Sequence, residues 1–123
     1  VYCNGVLLDK PIKSNLNEAV FVFDSYLDKD DREVLDLVAD EVNYIPSYNS
    51  VGLAFAYLAL GRVNGVLNFC DRIWDIAPGV LFALELGFCV TDKAGEKVDV
   101  WPENPHLVVA LPEMHSDILN LLN

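Results

Sequence analysis

An α/β fold, with a mixed and mostly parallel sheet flanked by helices on both faces, is what this sequence predicts. Two observations point to it. Short apolar runs rich in Val, Phe and Leu recur as strand candidates, and between them lie longer segments whose apolar residues follow helical spacing. The two kinds alternate along the chain, which is the order of a sheet with helices packed on it. In such sheets a ligand sits beyond the carboxyl ends of the strands, beside helix N-termini.

The elements follow in order. Val1 to Gly5 opens without Met and holds an Asn4-Gly5 turn, so the chain is expected to continue a longer one. Ala19 to Phe23 reads as a buried strand. After Asp28, the apolar positions Val34, Leu35, Val38 and Val42 mark a helix. Its acids Asp30, Asp31 and Glu33 suit the positive end of the helix dipole and are expected to form a solvated start rather than a metal site. Ser50 is placed to cap a second helix reaching Leu60 and ended by Gly61; it is apolar all round, as in a helix enclosed by protein. Val66 to Phe69 is the next strand. Trp74 or Asp75 opens a helix over Ile76 to Leu86, closed by Gly87. Phe88 to Thr91 is a strand, Asp92 to Gly95 a turn, Val98 to Trp101 a short strand and Leu107 to Leu111 a longer one. Pro112 suits the first turn of a last helix, whose apolar face is Met114, Ile118, Leu121 and Leu122.

Composition narrows the function. The 123 residues carry 19 acidic and 8 basic side chains, a formal net charge of -11. Nucleic acids and anionic membrane surfaces need the opposite sign, so neither is expected as a partner. At 53% hydrophobic residues the chain has the material for a packed core. No apolar run approaches the roughly 20 residues of a membrane span. Cys3, Cys70 and Cys89 are odd in number and far apart, with no Cys-x-x-Cys pair and no metal-ligand spacing to His106 or His115. They read as buried apolar thiols in a reducing compartment, and the expected location is the cytoplasm.

One segment carries chemistry: Asn68-Phe69-Cys70-Asp71-Arg72-Ile73-Trp74-Asp75-Ile76-Ala77-Pro78-Gly79. A carboxylate at a helix start can cap its own helix. It can also hold a hard oxygen ligand beside the dipole's positive end, where a metal-bound phosphate is favoured. Asp75 is open to both readings.

Trp74-Asp75-Ile76-Ala77, followed by Glu85-Leu86-Gly87 and Asp92, resembles the carboxyl-terminal signature of the inositol monophosphatase family. Ser50-Val51-Gly52-Leu53 through Gly61, Asn4-Gly5 with Pro11 to Ser14, and Leu107 to Ala110 extend the likeness over nearly the whole chain. The resemblance implies that residues 1–123 are the carboxyl-terminal layer of an αβαβα sandwich, within a homodimeric Mg²⁺-dependent phosphomonoesterase acting on a small sugar or inositol phosphate. It makes Asp75 a metal ligand, the one ligand in this chain for a complete site of two or three Mg²⁺ ions. It places Asn68 and Ser50 on the substrate side. The remaining ligands belong to an amino-terminal half, in a Gly-Glu segment and an Asp-Pro-x-Asp-Gly-Thr segment, and the second of these does not occur here.

The departures are local. Pro46 stands where the family commonly has Arg, Asn49 where it has Gly, Asn68 where inositol phosphatases often have Glu, and Phe88 at the second Gly of Glu-Ala-Gly-Gly. They support a second reading, a non-catalytic relative with a binding or assembly role. Either way an isolated half is expected to be inactive and to expose the apolar surface that meets its partner.

Overall fold

The computed structural model describes residues 1–98 and 102–123. The elements are β1 (Tyr2–Cys3), β2 (Val6–Leu7), a single 3-10 turn (Leu16–Glu18), β3 (Phe21–Asp24), α1 (Lys29–Ala39), α2 (Val51–Ala59), β4 (Gly65–Asn68), α3 (Ile73–Glu85), β5 (Cys89–Thr91), β6 (Leu107–Ala110) and α4 (Pro112–Leu122). The strand expected over Val98 to Trp101 lies largely outside the described residues, and Val98 itself is not in a strand.

The main sheet runs β3-β4-β6-β5. It is mixed, as expected, and three of its four strands share one direction. β6 lies between β4 and β5 and opposes both, so β3 and β4 are the parallel neighbours. β1 and β2 form a separate antiparallel hairpin around the Asn4-Gly5 turn. Both turn residues have positive φ (51° and 80°), the geometry of a tight two-residue hairpin turn.

Successive side chains of a strand point to opposite faces, and here both faces are covered. Val22, Val66, Leu107 and Val109 pack with Ala54, Phe55 and Leu58 of α2 and with Ile76, Val80 and Ala83 of α3. Phe21, Phe23, Leu67, Phe69 and Val108 pack with Val38 of α1 and with Met114 and Ile118 of α4. That explains why these strands read as unbroken apolar runs rather than alternating ones. The layers are thus α2 and α3, the sheet, then α1 and α4.

α2 and α3 pack closely because Gly79 faces Phe55; a Cβ at Gly79 would overlap the Phe55 ring. The outer side of this layer is different. α2 buries Val51, Ala54, Phe55 and Leu58 but exposes Leu53, so it is not enclosed all round as its composition suggests. α3 exposes Trp74, Leu81, Phe82 and Leu84, and the hairpin exposes Tyr2, Val6 and Leu7. All three cysteines are free, as expected, but Cys3 is exposed and Cys70 and Cys89 are only half-buried, where buried thiols were expected. Cys3 is exposed because its hairpin stands apart from the main sheet.

Candidate functional site

β3 and β4 end side by side, with Asp24 opposite Asn68 in the register. Both follow residues that face the α1–α4 core, so the strand alternation turns both toward the α2–α3 layer. Each is buried, and each fastens the loop that feeds one of those helices.

Asp24 holds the loop before α2. Its Oδ1 accepts from the Ser47 hydroxyl (2.6 Å) and from the backbone N–H groups of Tyr48 (3.1 Å) and Asn49 (3.2 Å). The Phe23 N–H adds a bond to the Pro46 carbonyl (3.0 Å). Asn49 has φ of 49°, a left-handed conformation that asparagine tolerates better than most residues. The chain is thereby delivered to Ser50, whose hydroxyl caps α2 by accepting from the Leu53 N–H at 3.4 Å. The expected cap is present.

Asn68 holds the loop before α3. Its Nδ2 donates to Asp71 Oδ2 (2.6 Å), and its Oδ1 accepts from the Asp71 N–H (3.2 Å). Both ends of the amide are therefore engaged inside the chain. The Ile73 N–H donates to the Glu103 carbonyl (3.2 Å), and the Arg72 guanidinium pairs with the Glu103 carboxylate. These contacts brace the start of α3.

α3 begins at Ile73, earlier than its sequence suggests, with Arg72 in the capping position and no side-chain cap. Asp75 therefore lies inside the first turn and does not cap the helix. It is exposed, and no hydrogen bond or ion pair engages its carboxylate among the described residues. That turn places a negative charge where the helix dipole favours it. No group of three or more His, Cys, Asp or Glu residues is arranged to hold a metal ion among the described residues.

Two carboxylates, Asp24 and Asp31, are buried where the sequence did not lead us to expect it. Among the described residues, Asp24 Oδ2 and Asp31 Oδ1 are buried without a hydrogen-bond partner. The solvated helix start is thus wrong at Asp31, which is only 3% exposed. Its N–H is capped by Asp28 Oδ1 (2.9 Å), and its side chain turns inward. The signal was available: Asp31 precedes Val38 by two helical turns and so shares its buried face. Cys70 lies nearby. Burial, then the Asp71 carboxylate, push its thiol up to about 12, with Asp24 and Asp31 adding smaller effects. It is a poor nucleophile in this setting.

The comparisons with known proteins agree with this architecture. Residues 2–123 match the sequence model of the inositol monophosphatase family. A protein of Neisseria meningitidis serogroup A named putative Nus factor SuhB is 35% identical over 74 residues, covering 60% of this chain and 28% of the relative. The fructose-1,6-bisphosphatase/inositol-1-monophosphatase of Thermotoga maritima is 25% identical over 122 residues, covering 99% of this chain and 46% of the relative. A Ca-bound inositol monophosphatase family protein from Staphylococcus aureus superposes with a TM-score of 0.83 at 24% identity, covering 99% of this chain and 47% of that one. The chain spans less than half the length of each of these relatives.

Proposed function

The chain belongs to the inositol monophosphatase family, and we propose that it is the carboxyl-terminal half of a Mg²⁺-dependent phosphomonoesterase that hydrolyses a small sugar or inositol phosphate. One observation carries this reading. The starts of α2 and α3 are fastened side by side over the ends of β3 and β4, with the Asp75 carboxylate unengaged in the first turn of α3.

The residues fit a divalent metal in a limited way. Asp75 offers one hard oxygen donor, Mg²⁺ needs near-octahedral oxygen ligation, and no metal-holding cluster is formed among the described residues, so we assign the other ligands to the amino-terminal half. Structures of the family include one with bound Ca, which is consistent with divalent metal use. Bound Mg²⁺ would polarise the phosphate ester and favour attack by water. The chain's own contribution is to place the anion. The first turn of α2 presents backbone N–H groups at the positive end of its dipole, and Gly52 leaves open space there. Ser50 supplies a hydroxyl at the same point. Asn68 would have to give up its bonds to Asp71 to meet a substrate, so we assign it first to holding the start of α3.

The partner follows from the surface. Leu53 of α2 and Trp74, Leu81, Phe82 and Leu84 of α3 make the outer side of this layer apolar, which supports our assigning the amino-terminal half to this face. A cytoplasmic homodimer of the joined halves completes the proposal.

The test uses the full-length protein containing this chain, assayed for Mg²⁺-dependent phosphate release from inositol 1-phosphate and fructose 1,6-bisphosphate. Asp75→Asn is expected to lower turnover on the order of a hundredfold or more. Residues 1–123 alone are expected to show none. Turnover that Asp75→Asn leaves intact would remove Asp75 from the metal site. A full-length protein inert toward both substrates would favour the non-catalytic reading, for which the engaged Asn68 amide is the supporting observation.

A further inference from the structure

Cations are scarce in this chain, 8 against 19 acids, and several are already engaged. Lys13 pairs with Glu113, Lys29 with Glu33 and Arg72 with Glu103. Lys93 and Lys97 make no ion pair among the described residues. They line one cleft of about 430 Å³ together with His106 and the turn after β5. It opens at the edge of the sheet where β5 ends and β6 begins.

The cleft is organised rather than incidental. The Phe69 ring carries the His106 imidazole stacked on it (centroids 5.1 Å apart, planes 22° apart), and the Lys93 ammonium lies 5.1 Å from the same centroid. One buried aromatic ring thus sets an ammonium and an imidazole in one place. Asp92, the acid in the lining, is turned to another use: its Oδ1 accepts from the N–H groups of Ala94 and Glu96, both at 2.9 Å, and closes the turn. Burial, then the Lys93 charge, hold His106 below its ordinary range, against an opposing pull from Asp31 and Asp28. The imidazole can therefore take up a proton when a negative charge arrives.

We propose that this cleft binds a phosphate group, free or carried on a small ester, between Lys93, Lys97 and His106. The two lysines of the lining supply the attraction, and the His106 imidazole supplies a donor. The proposal does not depend on hydrolysis or on a metal.

The experiment uses the full-length protein in excess chelator at ionic strength held constant with chloride. The His106 ring resonances are followed by NMR while inorganic phosphate, and in a separate arm glycerol 2-phosphate, is added. Saturable shifts are expected, with the His106 pKa rising by about one unit as the anion binds. Lys97→Gln, at an exposed position, and the double change Lys93→Gln/Lys97→Gln are expected to weaken binding in steps, the double on the order of tenfold or more. Thermal unfolding of the same variants checks that the fold is kept. Equal shifts with chloride alone, or undiminished binding by the double variant, would overturn the proposal. Binding of inorganic phosphate without binding of glycerol 2-phosphate would overturn the ester part and leave the free anion.

Discussion

Removing the Asp24 carboxylate should loosen the entry to α2. In Asp24→Ala, the Ser47 hydroxyl and the N–H groups of Tyr48 and Asn49 lose their shared acceptor. Hydrogen bonds to a charged group contribute about 1.5–3 kcal/mol each, so the gross loss is about 5–9 kcal/mol. Two effects reduce it. The loop can open to water and recover part of the bonding, and removal of the partnerless Oδ2 relieves about 1–3 kcal/mol of desolvation. The net expectation is a loss of about 3–5 kcal/mol, a large share of a typical domain's stability. Asp24→Asn keeps an acceptor for the same three donors but loses the charge and sets an NH₂ where Oδ2 lies; about 1–2 kcal/mol is expected. Urea denaturation of the full-length protein reads the totals. Amide hydrogen exchange at Tyr48 and Asn49 reads the cause, with protection lowered at least about tenfold in the Ala variant. A loss below about 1 kcal/mol with both amides still protected would refute the view that Asp24 holds this loop.

Other consequences are separately measurable. Gly79→Ala gains about 1 kcal/mol in helix propensity but drives a methyl into Phe55, and overpacking of a tight core costs about 1–3 kcal/mol, so a net lowering of the melting temperature is expected. Adding Phe55→Leu should restore part of the loss; a melting temperature raised by Gly79→Ala alone would contradict the close approach of α2 and α3. His115, buried with its Nε2 2.9 Å from Thr91 Oγ1, has its pKa lowered mainly by burial, against a bond to the Val108 carbonyl that raises it. The unfolded chain then takes up the proton first, near 6.5. Below that value the unfolded state binds more protons than the folded one, so stability should be full above it and fall as pH drops toward the depressed folded value. His106 contributes with the same sign. His115→Gln should flatten the fall in urea midpoint between about pH 7.5 and 5.5, and an unaltered slope would count against the assignment. With its thiol pushed up to about 12, Cys70 should alkylate at pH 8 on the order of a thousandfold more slowly than an ordinary thiol, and at the ordinary rate in urea. Mass spectrometry of iodoacetamide-treated protein distinguishes the two rates.

Much of the molecule follows from local pattern. The apolar runs Ala19 to Phe23, Val66 to Phe69 and Leu107 to Leu111, and the helical patterns of Val34 to Val42, Ile76 to Leu86 and Met114 to Leu122, specify element type because burial on two faces and burial on one stripe leave different periodicities. Ser50 and Pro112 mark helix starts because capping and a restricted φ depend on neighbours within a turn. The ordered segments around Ser50 and Trp74-Asp75 were sufficient for the family, which residues 2–123 match. Tertiary structure decided the rest. Asp24 acquires its role from donors 23 to 25 residues later in the chain, and no window of local sequence contains that bond set. The Asn68 amide is the local exception, since Asp71, which takes both its ends, lies only three residues on. β6 enters between β4 and β5 because strand order depends on which edges meet, and periodicity within a strand carries no information about its neighbours. Local sequence thus determined the elements and the family, through forces that act over one or two turns. The bonds by which Asp24 holds the loop before α2, and the order of the strands, reach across the chain and exist only once the sheet has brought its strand ends together.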